Sequence, residues 1–152
     1  AQFDLYMFNI WVYYPDYQEE LAVVKATTGG GAVQVQTVLS REQILFYQGL
    51  VRRIPVPDNV LEYAVKLATK TRPGHSDTPQ IVTDHVSWGA GPRASQYLVI
   101  GAKCHAMIRG RFSPDIEDVQ AVATPILRHR LVRNYKAEAE GVTAERIITE
   151  LL

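Results

Sequence analysis

One stretch of this chain, LYMFNIWVY at residues 5–13, has the aromatic and β-branched make-up of a buried strand, and Pro15 ends it. No second stretch of the same kind lies near it. A strand without a neighbour leaves its backbone donors and acceptors unpaired, which is a difficulty for an independent domain. The rest of the sequence must therefore supply the core by other means, and its spacing points to helices.

Residues 16–28 carry Leu21, Val24 and Lys25 at helical spacing, and Gly29-Gly30-Gly31 ends that helix. Residues 32–39 read as an extended linker. Ser40 followed by Gln43 forms a capping box that opens a helix running to about Arg53, with Ile44, Leu45, Leu50, Val51 and Ile54 on its apolar face. Pro55 and Pro57 separate it from a second helix, capped by Asp58, whose apolar face is Val60, Leu61, Ala64, Val65 and Ala68. Pro73-Gly74 ends that helix, and residues 71–91 read as a loop. Gly91 then caps a long helix with Pro92 at its first position, where a missing amide costs nothing. Ala94, Tyr97, Leu98, Gly101, Ala102, His105 and Ile108 share one side of it, and Gly110 closes it. Ser113-Pro114 opens a further helix through Val119, Val122 and Ala123, bent at Pro125. Residues 131–135 fit a short strand, and Thr143 caps a last helix to Leu152. The expected fold is mainly α: a strand and a helix over residues 1–31, a linker at 32–39, and a helical bundle over 40–152.

At 152 residues the chain buries roughly 70% of its unfolded surface without needing a disulfide. Sixteen basic residues balance sixteen acidic ones, which argues against holding nucleic acid by bulk charge. The single cysteine, Cys104, excludes an internal disulfide and a paired-cysteine zinc site, and fits a reducing cytoplasm. No apolar run approaches about 18 residues, so no membrane insertion is expected. The start has neither the basic region nor the cleavage site of a signal peptide, and no initiator methionine. It reads as a piece cut from within a longer protein.

The sharpest candidate site is the helix start at Gly91. Arg93 stands there, at the electropositive end of a dipole, which disfavours a cation by roughly 0.3–1 kcal/mol. Two readings follow: a solvated arginine, or one that meets an anion. The first free amides favour an anion, and a guanidinium grips phosphate through two parallel hydrogen bonds. The small residues Gly89, Ala90 and Gly91 allow close approach.

Other candidates are weaker. The histidines His75, His85, His105 and His129 form no pair at i and i+4. His75 and His85 share a loop with Asp77 and Asp84, but solvated loop histidines account for that pattern better than a metal site. His105 reads as a satisfied core residue, and Cys104 as an inert, partly buried thiol. Ser87 and Ser95 sit in no nucleophile elbow. Asp115, Glu117 and Asp118 complement a helix dipole. LRHRLVRNYK at residues 127–136 holds five basic residues between acidic ones, and reads as a solvated face or a subunit interface. Trp11 and Trp88 read as packing residues. A phosphate loop of the form G-x-x-x-x-G-K-[ST] is absent from the sequence, as is an apolar strand ending in paired acids, so this chain alone is not expected to hydrolyse a nucleotide.

GAGPRA at residues 89–94, GRFSPDIEDVQAVATPILRHRL at 110–131 and KAEAEGVTAERIITELL at 136–152 resemble the C-terminal helical lid of MoxR-type AAA+ ATPases. The family motif G-A-x-P-R-A is matched by Gly89, Ala90, Pro92, Arg93 and Ala94. Residues 38–72 are similar to the first two lid helices, and residues 1–20 look like the last strand of the ATPase core and its following helix. The resemblance implies a lid domain preceded by a strand-plus-helix remnant of an α/β nucleotide-binding core. It puts Arg93 at the sensor-2 position, a catalytic arginine reaching the nucleotide phosphates, with Gly91, Pro92 and Ala94 beside it. It implies ATP with magnesium in the intact protein and no cofactor for this chain alone. It further implies rings, typically hexamers, acting as chaperone-like ATPases on client proteins or on partners with von Willebrand factor A domains. One departure matters. The family usually reads A-Q-x-D-R-F where this chain has AQFDLYMF, and Leu5 cannot stabilise transferring phosphate charge as an arginine there would. The alternative is a non-catalytic helical adaptor that binds a protein partner.

Overall fold

A computed structural model describes residues 2–30 and 34–152. Gly31 and the first positions of the expected linker, 32–33, lie outside the described residues. The central element is helix α5, Pro92–Ile108, which begins as the sequence dictates, with Gly91 as N-cap and Pro92 at the first position. Its buried face is mostly small: Ala94, Gly101, Ala102 and Ala106, with Leu98 as the one large side chain. Small residues let neighbouring helices approach closely. Helix α6, Ile116–Leu127, and helix α3, Asp58–Lys70, lie against it. A Cβ added at Gly101 would stand 3.1 Å from both Ile126 Cδ1 and Val122 Cγ2 of α6, which is why glycine occupies this crossing. Leu67, Leu98, Ile126, Leu127, Ile147 and Ile148 fill the core, each contributing about 1.5–3 kcal/mol over an exposed position. The last two belong to helix α8, Ala144–Leu151, capped by Thr143 and packed on α6.

The local stop and start signals are realised closely. Helix α1, Tyr17–Thr28, is opened by an Asp16–Glu19 capping box and stops at Gly29. Helix α2, Arg41–Arg53, is opened by the Ser40–Gln43 box. Several faces differ from expectation. Asp58 does not cap α3; Pro57 holds that position without a side-chain bond, and Asp58 is the first helical residue. Leu67 is buried in α3, whereas Leu61 and Val65 are exposed. Ile108 is exposed in the last turn of α5, and Ala106 takes the inward place. On α2 only Val51 is fully buried; Ile44 and Leu45 face outward. Ser113-Pro114 does not open α6. Asp115 is its N-cap, with Asp118 closing the box from the third position.

The expected loop at 71–91 contains two elements. Helix α4, Gln80–His85, runs directly into strand β1, Val86–Trp88. Strand β2, Val132–Arg133, falls within the expected short strand and pairs antiparallel with β1, Val86 opposite Arg133 and Trp88 opposite Val132. Helix α7, Tyr135–Ala139, follows at once. Its N-cap Asn134 accepts from the Ala137 amide at 2.9 Å and donates to the Asp84 carbonyl at 2.7 Å, which ties α7 to α4.

The expected strand at residues 5–13 is not a strand. Residues 2–5 form a 3-10 turn, and residues 8–14 carry no regular secondary structure and no ladder partner among the described residues. Ile10, Val12, Tyr13 and Tyr14 are exposed. Contacts with the bundle replace the missing ladder. Tyr97 donates to the Leu5 carbonyl at 3.1 Å, His129 Nε2 to the Tyr6 carbonyl at 3.0 Å, and the Asn9 amide donates to the Pro125 carbonyl at 2.8 Å. Residue type alone reports suitability for a pleated surface, not the presence of a neighbour.

Candidate functional site

The start of α5 is built on the end of α3. Thr71, fully buried, donates its hydroxyl to the Ala68 carbonyl at 2.6 Å and accepts the Ala90 amide at 2.8 Å. Arg72 Nε donates to the Ala90 carbonyl at 2.8 Å. Gly89 lies so close to Thr71 that a Cβ would collide with its carbonyl and sit 2.7 Å from Arg72 Cα. The glycine thus serves packing inside the protein rather than approach by a ligand. Gly91 has open space around it and no side-chain cap. Pro92 offers no donor, and the Ala94 amide is spent on the Gly91 carbonyl at 3.0 Å while its methyl is buried. Of these four positions, Arg93 alone sends a polar side chain outward.

Arg93 meets a carboxylate. Its Nη1 lies 2.9 Å from Asp4 Oδ2, with Arg93 42% and Asp4 36% exposed. The other oxygen of Asp4, Oδ1, accepts from Arg130 Nε at 2.9 Å, and Arg130 is only 1% exposed. The same guanidinium donates to the carbonyls of Asp4 at 3.0 Å, Tyr6 at 2.6 Å and Met7 at 3.3 Å, and to that of Ile126. The Tyr97 ring lies 5.1 Å from it. Burial pulls the Arg130 pKa below its usual value, while Asp4 opposes that shift and favours the charged form. The two halves of this network differ in worth. An exposed pair contributes about 0–1 kcal/mol, whereas stripping the partner from a buried charge costs about 3–5 kcal/mol.

The basic run at residues 127–136 is therefore not a solvated face. Arg130 is buried, Arg133 donates to the Val142 carbonyl at 2.9 Å, and Lys136 lies 3.5 Å from Asp84. Arg128 stacks 4.4 Å over the Trp11 ring, with its Nε 3.2 Å from Glu145 Oε1, a charge contact without hydrogen-bond alignment. Burial lowers the pKa of His129. Trp11 thus packs on a cation, while Trp88 is exposed.

The remaining candidates resolve differently. His85 is buried, against expectation, between the Ile81 carbonyl at 2.9 Å and Glu140 Oε2 at 3.0 Å. Glu140 raises its pKa above 6.5, and His85 lowers that of Glu140 below 4.5. The raised histidine stabilises the fold below pH 6.5 and loses that effect as pH rises through its folded value. The lowered carboxyl stabilises above pH 4.5 and loses the effect as pH falls through its folded value. The pair should act most strongly between these limits. Thermal unfolding should show stability falling above pH 6.5, and Glu140→Gln should flatten that fall; an unchanged alkaline slope would refute the pair's role. Among the described residues, no cluster of three His, Cys, Asp or Glu side chains could hold a metal. His105 is partly exposed and bonds Asp118 at 2.6 Å. Burial would raise the Asp118 pKa, but Arg111, the Asp115 amide and His105 outweigh it and hold it below 3.8. Cys104 is half-buried, and burial raises its pKa, as an inert thiol requires.

The roles of Asp4, Arg130, Thr71 and Tyr97 were not legible in the sequence, because Asp4 and Arg130 lie 126 residues apart, Tyr97 and Leu5 92 apart, and Thr71 and Ala90 19 apart.

Residues 79–151 match the AAA lid domain family. Over its whole length the chain is 32% identical to the chaperone MoxR1 of Mycobacterium tuberculosis (strain ATCC 25618 / H37Rv) and spans 40% of that protein. It is 29% identical, again over its whole length, to the uncharacterised protein YeaC of Bacillus subtilis (strain 168), of which it spans 45%. A crystal structure from Cytophaga hutchinsonii ATCC 33406, provisionally assigned as an ATPase, superposes on 99% of the chain with a TM-score of 0.89 and 29% identity; the chain covers 46% of it. The chain thus spans less than half the length of these relatives.

Proposed function

We propose that this chain, whose residues 79–151 match the AAA lid domain family and which is similar over its whole length to the chaperone MoxR1, is the lid over a nucleotide site, with Arg93 as its phosphate contact. The observation that carries this reading is the position of Arg93: a half-exposed guanidinium at the uncapped start of α5. A helix start and an arginine fork both suit a phosphate oxygen. The residues present fit one edge of such a group, since the Arg93–Asp4 pair occupies a single donor of the guanidinium. Bound ATP with magnesium supplies the phosphoryl group and the charge that cleavage develops. Arg93 holds and orients the terminal phosphate, and the rigid Thr71–Gly89–Ala90 packing fixes the base from which it reaches. The lid unit extends upstream of residue 79 to about residue 40, because α2 and α3 pack on α5.

The whole protein then acts as a chaperone-like ATPase on client proteins, von Willebrand factor A domain partners among them. Its subunits assemble into a ring, typically a hexamer. The apolar side chains that residues 8–14 and α1 leave exposed support contact with further protein surface. No helix among the described residues is long and apolar enough to cross a membrane, and the half-buried free thiol of Cys104 suits the cytoplasm. The test is Arg93→Ala in the full-length protein. ATP turnover should fall at least about tenfold with melting temperature unchanged. Unchanged turnover removes Arg93 from the mechanism. A wild-type protein that neither binds nor hydrolyses ATP supports the adaptor reading instead.

A further inference from the structure

Asp4 joins two arginines of very different standing. Its Oδ1 takes Arg130 Nε and its Oδ2 takes Arg93 Nη1, each at 2.9 Å. Arg130 is 1% exposed and cannot trade its counter-ion for water without large loss; Arg93, 42% exposed, can. Arg130 also holds the carbonyls of Asp4, Tyr6 and Met7. The carboxylate is therefore seated on an anchored backbone and not carried on a loose tail. It is tied firmly on one side and weakly on the other. The weak side is the guanidinium that reaches outward from the start of α5. A phosphate that comes to Arg93 brings negative charge up to the Asp4 carboxylate, and like charges that close disfavour each other.

We propose that Asp4 is a built-in competitor for phosphate at Arg93. Without an anion, its carboxylate holds Arg93 and offsets the unfavourable charge at the helix start. On phosphate binding, Arg93 leaves Asp4, while Asp4 stays on Arg130. This inference rests on Arg93 being the phosphate contact. It adds a selectivity that Arg93 alone would lack. A weakly charged anion does not displace a seated carboxylate, and a terminal phosphate carrying more than one charge does. The exchange also changes what holds residues 4–7, because Asp4 lies in that segment.

The experiment measures binding of a fluorescent ATP analogue with magnesium to the full-length protein. Wild type, Asp4→Asn, Arg93→Ala and the double variant are compared, each with its melting temperature. Asp4→Asn should bind roughly two- to fivefold tighter than wild type. The same substitution should change nothing in the Arg93→Ala background, so the two effects do not add. If Arg93→Ala weakens binding but Asp4→Asn leaves it unchanged or weaker, the competitor role is overturned and the phosphate contact stands. If Arg93→Ala binds like wild type, the phosphate contact itself fails, and the competitor role with it. Asp4→Asn leaves Arg130 short of a counter-ion. Should that variant not fold, Asp4→Asn/Arg130→Gln removes both charges and keeps amide donors for the carbonyls. It must then show the same tightening, and its absence overturns the proposal.

Discussion

Arg130→Ala should lower the unfolding free energy by about 3 kcal/mol, the low end of the cost of breaking a buried ion pair. For a chain of 152 residues that is a fall of about 6–12 °C in melting temperature. The low end applies because Asp4, the partner left behind, is exposed enough for water to take over. The loss has three sources. The guanidinium is removed from a fully packed position beside Tyr97 and Ile126. The carbonyls of Asp4, Tyr6 and Met7 lose their donor. The segment that carries them then keeps only Arg93, Tyr97, His129 and the Asn9 amide as attachments among the described polar contacts. Residues 4–9 should therefore exchange their amide hydrogens faster in the variant than α5 does, which hydrogen exchange would read directly. A melting temperature equal to that of wild type would mean that the clamp contributes no net stability.

Gly89→Ala should cost about 3 kcal/mol, the upper part of the range for overpacking. The added methyl meets the carbonyl of Thr71 and the Cα of Arg72, and backbone cannot rotate away as a side-chain end can. Thr71 is itself pinned, bonded to Ala68 on one side and Ala90 on the other. Relief must come from a shift of Ala90 and the start of α5, where Arg93 stands. The variant should thus lose ATP turnover in the full-length protein as well as stability, whereas Gly91→Ala, with open space around it and φ of −77°, should leave both nearly unchanged. Equal behaviour of the two variants would show that the close packing at Gly89 is not what positions Arg93.

The two substitutions separate what was legible in the chain from what was not. Helix starts were legible at Ser40 and Thr143 because a side-chain cap is a contact between residues three apart, and at Gly91 because a proline follows it at the first helical position. The energy of a cap is present whatever the rest of the molecule does. The apolar stripes were legible only as to which helices exist. Whether Leu61 or Leu67 faces inward depends on where α5 and α6 lie, and spacing along α3 does not say. The strand expected at residues 5–13 failed for a related reason. Its residue types suit a pleated surface, but a ladder needs a second strand, and the bundle offers a buried arginine, a histidine and a tyrosine instead. His85 and Arg130 looked like solvated charges because their partners, Glu140 and Asp4, lie 55 and 126 residues away. The sequence by itself determined the longer helices, the caps at Ser40 and Thr143, and the arginine at the head of α5. Tertiary structure alone decided which charges are buried and which carboxylate Arg93 meets, because those choices rest on distance in space, and the chain does not encode that locally.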